Sequence, residues 1–285
     1  METTNAALIL EGGGLRGVYT SGVLRWMMDA ELWLSPVIGV SMGACNGANY
    51  VSRQRERNRI VNIRFVNDRR YLSYLRLAAG GELFGMDFIF DDIPHRLVPF
   101  DFQVFMESEA EFWTTATDCL TGEPVYFEKT EVGAESMTVL RASCALPFIA
   151  RPVHYQGRVL MDGGIADPVP IRKSLADGNR GNVLVLTQPK GYRKTASRLA
   201  RLAPVRYPAL RGMCEALAVR HLRYNETMDF IDDLEDRGEV FVIRPAAPIG
   251  AGRVERDKDK LHAAYDQGYS DALERGGNLR AYLPS

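Results

Sequence analysis

The chain has 285 residues and a net charge of −1, with 46% hydrophobic and 25% charged residues. That is the balance of a globular protein long enough to bury a core without disulfides or structural metal. A charge so close to zero excludes nucleic-acid binding driven by bulk charge, and Cys45, Cys119, Cys144 and Cys214 are too widely spaced for a C-x-x-C zinc or dithiol motif. Free, buried cysteines of this kind fit a reducing compartment. The N-terminus lacks a basic n-region, and the apolar run Ala6 to Leu10 is too short for a signal peptide. No run of 18 apolar residues is present, so the expectation is a cytoplasmic protein without a transmembrane helix.

The first elements are sharply marked. Residues 6–10 (AALIL) are a continuous apolar run that stops at Glu11 and three glycines, the pattern of a buried strand entering a tight loop. Residues 17–31 place Val18, Val23, Leu24, Trp26, Met27 and Met28 on a broad helical face. Pro36 to Val40 reads as a second buried strand, and the small residues from Met42 onward suit a tightly packed helix. Strand, glycine loop, helix, strand, turn, helix is the βαβα start of a parallel sheet.

Further along, residues 56–79 read as helical. Residues 112–118 and 125–129 read as strands around the Thr121-Gly122-Glu123-Pro124 turn. Residues 134–146 are helical up to Pro147. Residues 158–162, 182–187 and 239–243 are short strands, and residues 257–275 form a helix. The pattern predicts a catalytic domain over 6–190. Residues 191–285 are expected to be a largely helical extension with one last strand, packed on the same domain.

Gly39-Val40-Ser41-Met42-Gly43 is a G-x-S-x-G pentapeptide lying between an apolar strand and a small-residue helix, the context of a nucleophile elbow. The chain turns so sharply there that side chains two positions on either side of Ser41 would collide with it. The hydroxyl is left above a helix N-terminus that favours developing negative charge. The plainer alternative is a glycine-flanked turn with Ser41 as N-cap.

Gly12-Gly13-Gly14-Leu15-Arg16-Gly17 also permits two functions. As G-x-G-x-x-G between strand and helix it could cradle a dinucleotide pyrophosphate; its backbone N–H groups could equally form an oxyanion hole. A dinucleotide turn wants an acid at the end of the second strand. Here that strand ends in the serine pentapeptide, and Glu31 precedes it. Two loops on neighbouring parallel strands would also open at the same end of the sheet, which brings donors and nucleophile together. Acyl transfer is therefore the first reading, and a nucleotide-binding module on Gly12–Gly17 is the alternative.

A serine nucleophile needs a base. His95, His154, His221 and His262 are the histidines, and the order serine, acid, histidine could use His221 or His262. A carboxylate could serve instead: Asp162-Gly163-Gly164 ends a short strand, and its glycines allow close backbone approach.

Taken in order, GGGLRG, GVSMG and DGG, with Ala142-Ser143-Cys144-Ala145-Leu146-Pro147 before the last, resemble the patatin-like phospholipase family. The resemblance covers about residues 6–190. It implies a three-layer α/β/α sandwich with a mostly parallel central sheet, and a lipid acyl hydrolase using a Ser41–Asp162 dyad. It places oxyanion donors on the backbone of Gly13 and Gly14, gives Arg16 the basic position of the loop, and requires no metal or cofactor.

Residues 190–223 carry nine Lys or Arg against one acid, Glu215, interspersed with Leu199, Leu202, Val205, Leu210, Met213, Leu217 and Val219. An interfacial segment docking on anionic lipid has this composition, giving peripheral membrane contact. So does a solvated helical face packed on the sheet. Arg53, Arg55, Arg57, Arg59 and Arg64 form a second basic run, read as a surface helix.

Overall fold

The computed structural model describes residues 4–284. Eight strands form one sheet: β1 (Thr4–Leu10), β2 (Leu34–Val40), β3 (Phe112–Asp118), β4 (Pro124–Glu128), β5 (Val153–Tyr155), β6 (Arg158–Asp162), β7 (Asn182–Val185) and β8 (Phe241–Ile243). The order is β5-β6-β3-β2-β1-β7-β8, with β4 paired to β3. The run from β3 to β8 is parallel, and β4, β5 and β6 join antiparallel.

The central strands are apolar on both faces, as parallel strands covered by helices must be. Leu8, Leu10, Val183, Val185, Phe241 and Ile243 point into one core. Helices α1 (Val18–Asp29) and α2 (Met42–Val51) pack on that face, as does the helix Lys258–Tyr282. The alternate residues Ile9, Leu184, Leu186 and Val242 meet Tyr224, Met228, Ile231 and Leu234 of the helix Arg211–Asp236 on the other face. Three layers result.

Several expected elements differ in extent. Residues 56–79 are not one helix: α3 (Arg57–Arg64) and a short helix Tyr74–Ala78 flank a turn. Asp68 gathers that turn by accepting the Arg70 N–H at 2.8 Å, and Ser73 caps the second helix by accepting the Arg76 N–H. Such side chains offer the backbone partners outside a helix. Residues 88–97 form a wide helical segment around Pro94, closed by a bond from Val98 N–H to Ile93 O. Proline supplies no N–H and resists a regular turn, which hides this helix from periodicity. The C-terminal helix runs seven residues past its expected end at 275, through Gly276-Gly277. Gly276 is no terminator there: a Cβ would lie 2.4 Å from the Trp26 ring.

Candidate active site

Ser41 stands between β2 and α2 with φ 54° and ψ −127°. A non-glycine residue held there stores strain of about 1–3 kcal/mol. The flanking glycines explain how the chain tolerates it, though not through the serine itself. A Cβ on Gly39 would lie 2.4 Å from Ala44 Cα, and one on Gly43 would lie 2.4 Å from Leu10 O. The elbow thus lets β2 fold back onto its own helix while that helix presses against β1. Ser143 fastens the bend: its Oγ accepts the Ser41 N–H at 2.7 Å and donates to Thr115 O at 2.7 Å.

The register of β3 then brings Asp162 to the serine. One edge of β3 is occupied by β4. The other edge is shared: β2 covers it up to Val40, opposite Thr115, and β6 takes over with Asp162 opposite Ala116. The ends of β2 and β6 therefore meet at consecutive positions of one strand. Gly163 permits the junction, since a Cβ there would lie 2.2 Å from Thr115 O. Thr117 Oγ1 donates to Asp162 O at 2.8 Å, and Asp162 N–H donates to Ala145 O at 2.9 Å.

The Asp162 side chain is 2% exposed. Its Oδ1 accepts the Gly164 N–H at 2.8 Å, while Oδ2 is buried and unpartnered. The Ser41 hydroxyl is close enough to the carboxylate to favour its charged form, while Oδ2 has no hydrogen-bond partner. Burial pushes the Asp162 carboxyl above its ordinary range, and the Arg220 guanidinium, the Ser41 hydroxyl, the Gly164 N–H and Arg253 pull it partly back.

Glu11 directly follows β1 and anchors the start of the glycine loop. Its Oε2 accepts Thr187 N–H at 2.6 Å and Thr187 Oγ1 at 2.9 Å, and its Oε1 accepts the Tyr224 hydroxyl at 3.1 Å. Gly14 has φ +57°, and a Cβ on it would lie 2.6 Å from Arg253 O. Leu15 N–H is taken by that same carbonyl at 3.0 Å. Among the described residues, Gly13 and Gly14 N–H have no acceptor within the chain. A Cβ on Gly12 would lie 3.0 Å from Ser41 Cβ, and one on Gly17 would lie 2.5 Å from Met42 Cγ, so the loop sits directly on the elbow. Ser41, Asp162, Gly12, Gly13, Gly14 and Gly164 share one recess. Arg16 is not in its wall; it borders the adjoining cleft, with Nε buried and unpartnered.

None of the four histidines borders the recess. His95 stacks on Phe102 at 5.1 Å, His154 is exposed on β5, His221 borders the neighbouring cleft, and His262 lies on the C-terminal helix. Among the described residues no three His, Cys, Asp or Glu side chains are grouped to hold a metal. Cys119 and Cys214 are buried, as expected; Cys45 and Cys144 are half-buried, 3.6 Å apart, and line a pocket.

Ser41 lies in the wall of that pocket. Its wall is mostly apolar, including Val61, Tyr71, Phe90, Met137, Leu140 and Ile149. Arg57 also reaches it, so the second basic run is not wholly a surface feature. The Arg57 guanidinium is buried, donates to Asn49 Oδ1 at 2.7 Å, and is lowered by that burial to about 10. The pocket is not legible in the sequence, because its residues come from segments scattered between Gly14 and Ala150. Nor is the role of Ser143, although Ser143 lies in the A-S-x-A-x-P segment.

The sequence model of the patatin-like phospholipase family matches residues 8–174, more than half of the chain. The chain belongs to that family. Residues 210–284 match a domain of unknown function. An uncharacterized protein of Escherichia coli, YjjU, is 27% identical over 251 residues, covering 85% of this patatin-like chain and 69% of its own length. An uncharacterized NTE family protein of Mycobacterium bovis is 29% identical over 58% of the chain and 44% of its own length. The lysophospholipase nte1 of Aspergillus terreus is 26% identical over 60% of the chain, which spans 11% of that protein. Among solved structures, VipD from Legionella pneumophila superposes with a TM-score of 0.52 at 13% identity, covering 97% of the chain and 67% of VipD. The last likeness shows the patatin-like fold alone. No helix among the described residues is long and apolar enough to cross a membrane.

Proposed function

We propose that this patatin-like protein hydrolyses the carboxylic ester of a lipid through Ser41 and Asp162, without a histidine. The observation that carries the reading is the shared edge of β3, which sets the serine elbow and a buried, half-unpartnered carboxylate in one recess. Ser41 Oγ attacks the ester carbonyl as its proton passes to Asp162 Oδ2. The carbonyl oxygen becomes an oxyanion beside the Gly13 and Gly14 N–H groups. Collapse breaks the bond to the alcohol, which leaves with the proton from Asp162, and the acyl group remains on Ser41. Water, deprotonated by Asp162, attacks the acyl-serine; the fatty acid leaves and Ser41 is restored. The apolar pocket beside Ser41 receives the acyl chain.

A fluorophosphonate probe with peptide mapping tests the assignment. Labelling at Ser41, lost in Ser41→Ala and strongly slowed in Asp162→Asn, is expected. Absence of labelling combined with tight NAD binding would move the glycine loop to the nucleotide-binding reading.

A further inference from the structure

The pocket beside Ser41 is apolar along most of its wall and charged at one place. Met42, Cys45, Ala48 and Asn49 bring one side of α2 to it, and Arg57, the first residue of α3, lines it together with Phe100. From Ser41 to Asn49 the helix advances about 12 Å, at about 1.5 Å for each residue. The Arg57 guanidinium donates through Nη1 to Asn49 Oδ1 at 2.7 Å, which sets it near the opposite end of α2 from the nucleophile.

Packing accounts for only part of this guanidinium. Nε donates to Val98 O at 3.2 Å, and the guanidinium carbon lies over the Phe100 ring at 5.1 Å, which fastens the loop after residues 88–97. Nη2 has no acceptor among the described residues, yet it is not sealed in. Arg57 is 8% exposed, and the pocket is the space it borders. Among the described residues no carboxylate pairs with it: burial lowers it, and the opposing field comes from Cys45. Nor does its helix explain the charge, since α3 has no acid in its first turn and a helix N-terminus disfavours a cation. The amides in the same wall are committed elsewhere. Asn49 Nδ2 donates to Asn58 Oδ1 at 2.5 Å, and Asn62 Nδ2 donates to Asn46 Oδ1 at 3.0 Å. A desolvated guanidinium with spare N–H groups is stabilised most by an anion.

We propose that Arg57 is a specificity-determining residue that takes a carboxylate at the far end of the acyl chain. The enzyme then favours esters of α,ω-dicarboxylic acids of about eight to ten carbons over esters of plain fatty acids of the same length. The length follows from the helix: C–C bonds of about 1.5 Å at about 111° advance about 1.25 Å per carbon, so such a chain spans α2 from Ser41 to Asn49. The proposal rests on the hydrolase reading and on the acyl chain entering this pocket.

The test compares kcat/KM for the mono-nitrophenyl ester of nonanedioic acid, the same ester with its free acid methyl-capped, and nitrophenyl nonanoate. The three share a leaving group and differ at the far end of the chain. Wild type should prefer the free acid over both others by at least about tenfold. The butanedioic ester, too short to reach Arg57, should show no such preference over nitrophenyl butanoate. Arg57→Gln should lose the nonanedioic preference chiefly through KM, and Arg57→Lys should fall between the two. A wild-type ratio near one overturns the proposal, as does an equal rate for the methyl-capped ester or an equal preference at the shorter length. An unchanged ratio in Arg57→Gln, shown folded by circular dichroism, overturns it too. If that variant does not fold, the wild-type comparisons decide alone. If wild type turns over none of the esters, the hydrolase reading fails separately. Calorimetry with nonanedioate and nonanoate then decides the subsite: tighter binding of nonanedioate by at least about tenfold supports it, and equal or absent binding refutes it.

Discussion

In the proposed dyad Asp162 takes a proton from the Ser41 hydroxyl, a task for which a carboxyl near its ordinary value of about 4 is poorly matched. Burial supplies the correction by disfavouring the charged form, while Arg220 is the strongest opposing influence. The base works as an anion, so activity should fall as pH drops through its raised value. Arg220→Met removes a cation that stabilises the anion, so the carboxyl rises further and the acid limb of kcat/KM should move to higher pH. A neutral soluble ester measured across pH in both proteins checks this. A limb that stays or moves to lower pH would show that another group controls it. At this scale the sequence exposed what local sterics dictate: Gly39, Ser41 and Gly43, and the glycines at 12–14. It named Asp162 only by joining motifs. Ser143 and Arg220 stayed hidden, because one depends on the edge of β3 and the other on a helix folding over the site from more than 50 residues away.

At the scale of elements, the basic stretch 190–223 divides into a packed part and an exposed part. From Arg211 the helix packs Met213, Cys214 and Ala216 against the sheet layer. Before it, two short helical turns, Leu199–Leu202 and Ala203–Arg206, leave Leu199 and Leu202 each 55% exposed and Val205 83% exposed. They repeat at a spacing of three beside exposed Arg198, Arg201 and Arg206. Apolar side chains interleaved with cations match an anionic lipid surface, where each basic residue contributes about 1 kcal/mol. Reversing charge with Arg198→Glu and Arg201→Glu should weaken binding to phosphatidylglycerol vesicles at least about tenfold. Equal sedimentation with vesicles for variant and wild type would remove these turns from any membrane contact.

Across the whole molecule, residues far apart in sequence form one core: Leu8 and Leu10 of β1 share a cluster with Leu261, Ala264, Ala272 and Leu279 of the C-terminal helix. That helix lies against α1 at backbone distance. A Cβ on Gly268 would lie 2.0 Å from Tyr19 O, and one on Gly22 would lie 2.0 Å from Tyr265 O. Tyr19 adds a bond from its hydroxyl to Asp271 at 2.8 Å. Gly268→Ala should therefore destabilise the protein by about 1–3 kcal/mol through overpacking. In urea unfolding the midpoint should fall with the slope unchanged; an unaltered midpoint would mean the two helices can separate without cost. The apolar periodicity of residues 257–275 announced a helix, but it could not say which surface that helix covers. Gly22 and Gly268, which mark the contact, lie inside the two helices expected from the sequence, where nothing local shows that their missing side chains make room for a neighbour.

The most direct test of the dyad is fatty-acid release from a lipid ester by wild type, Ser41→Ala and Asp162→Asn, each shown folded by circular dichroism. Wild type should turn the ester over, and each variant should lose activity by about a thousandfold or more, since the two side chains act as one unit. Asp162→Asn retaining turnover within tenfold of wild type would contradict a Ser41–Asp162 dyad and return the search for the base to the rest of the chain.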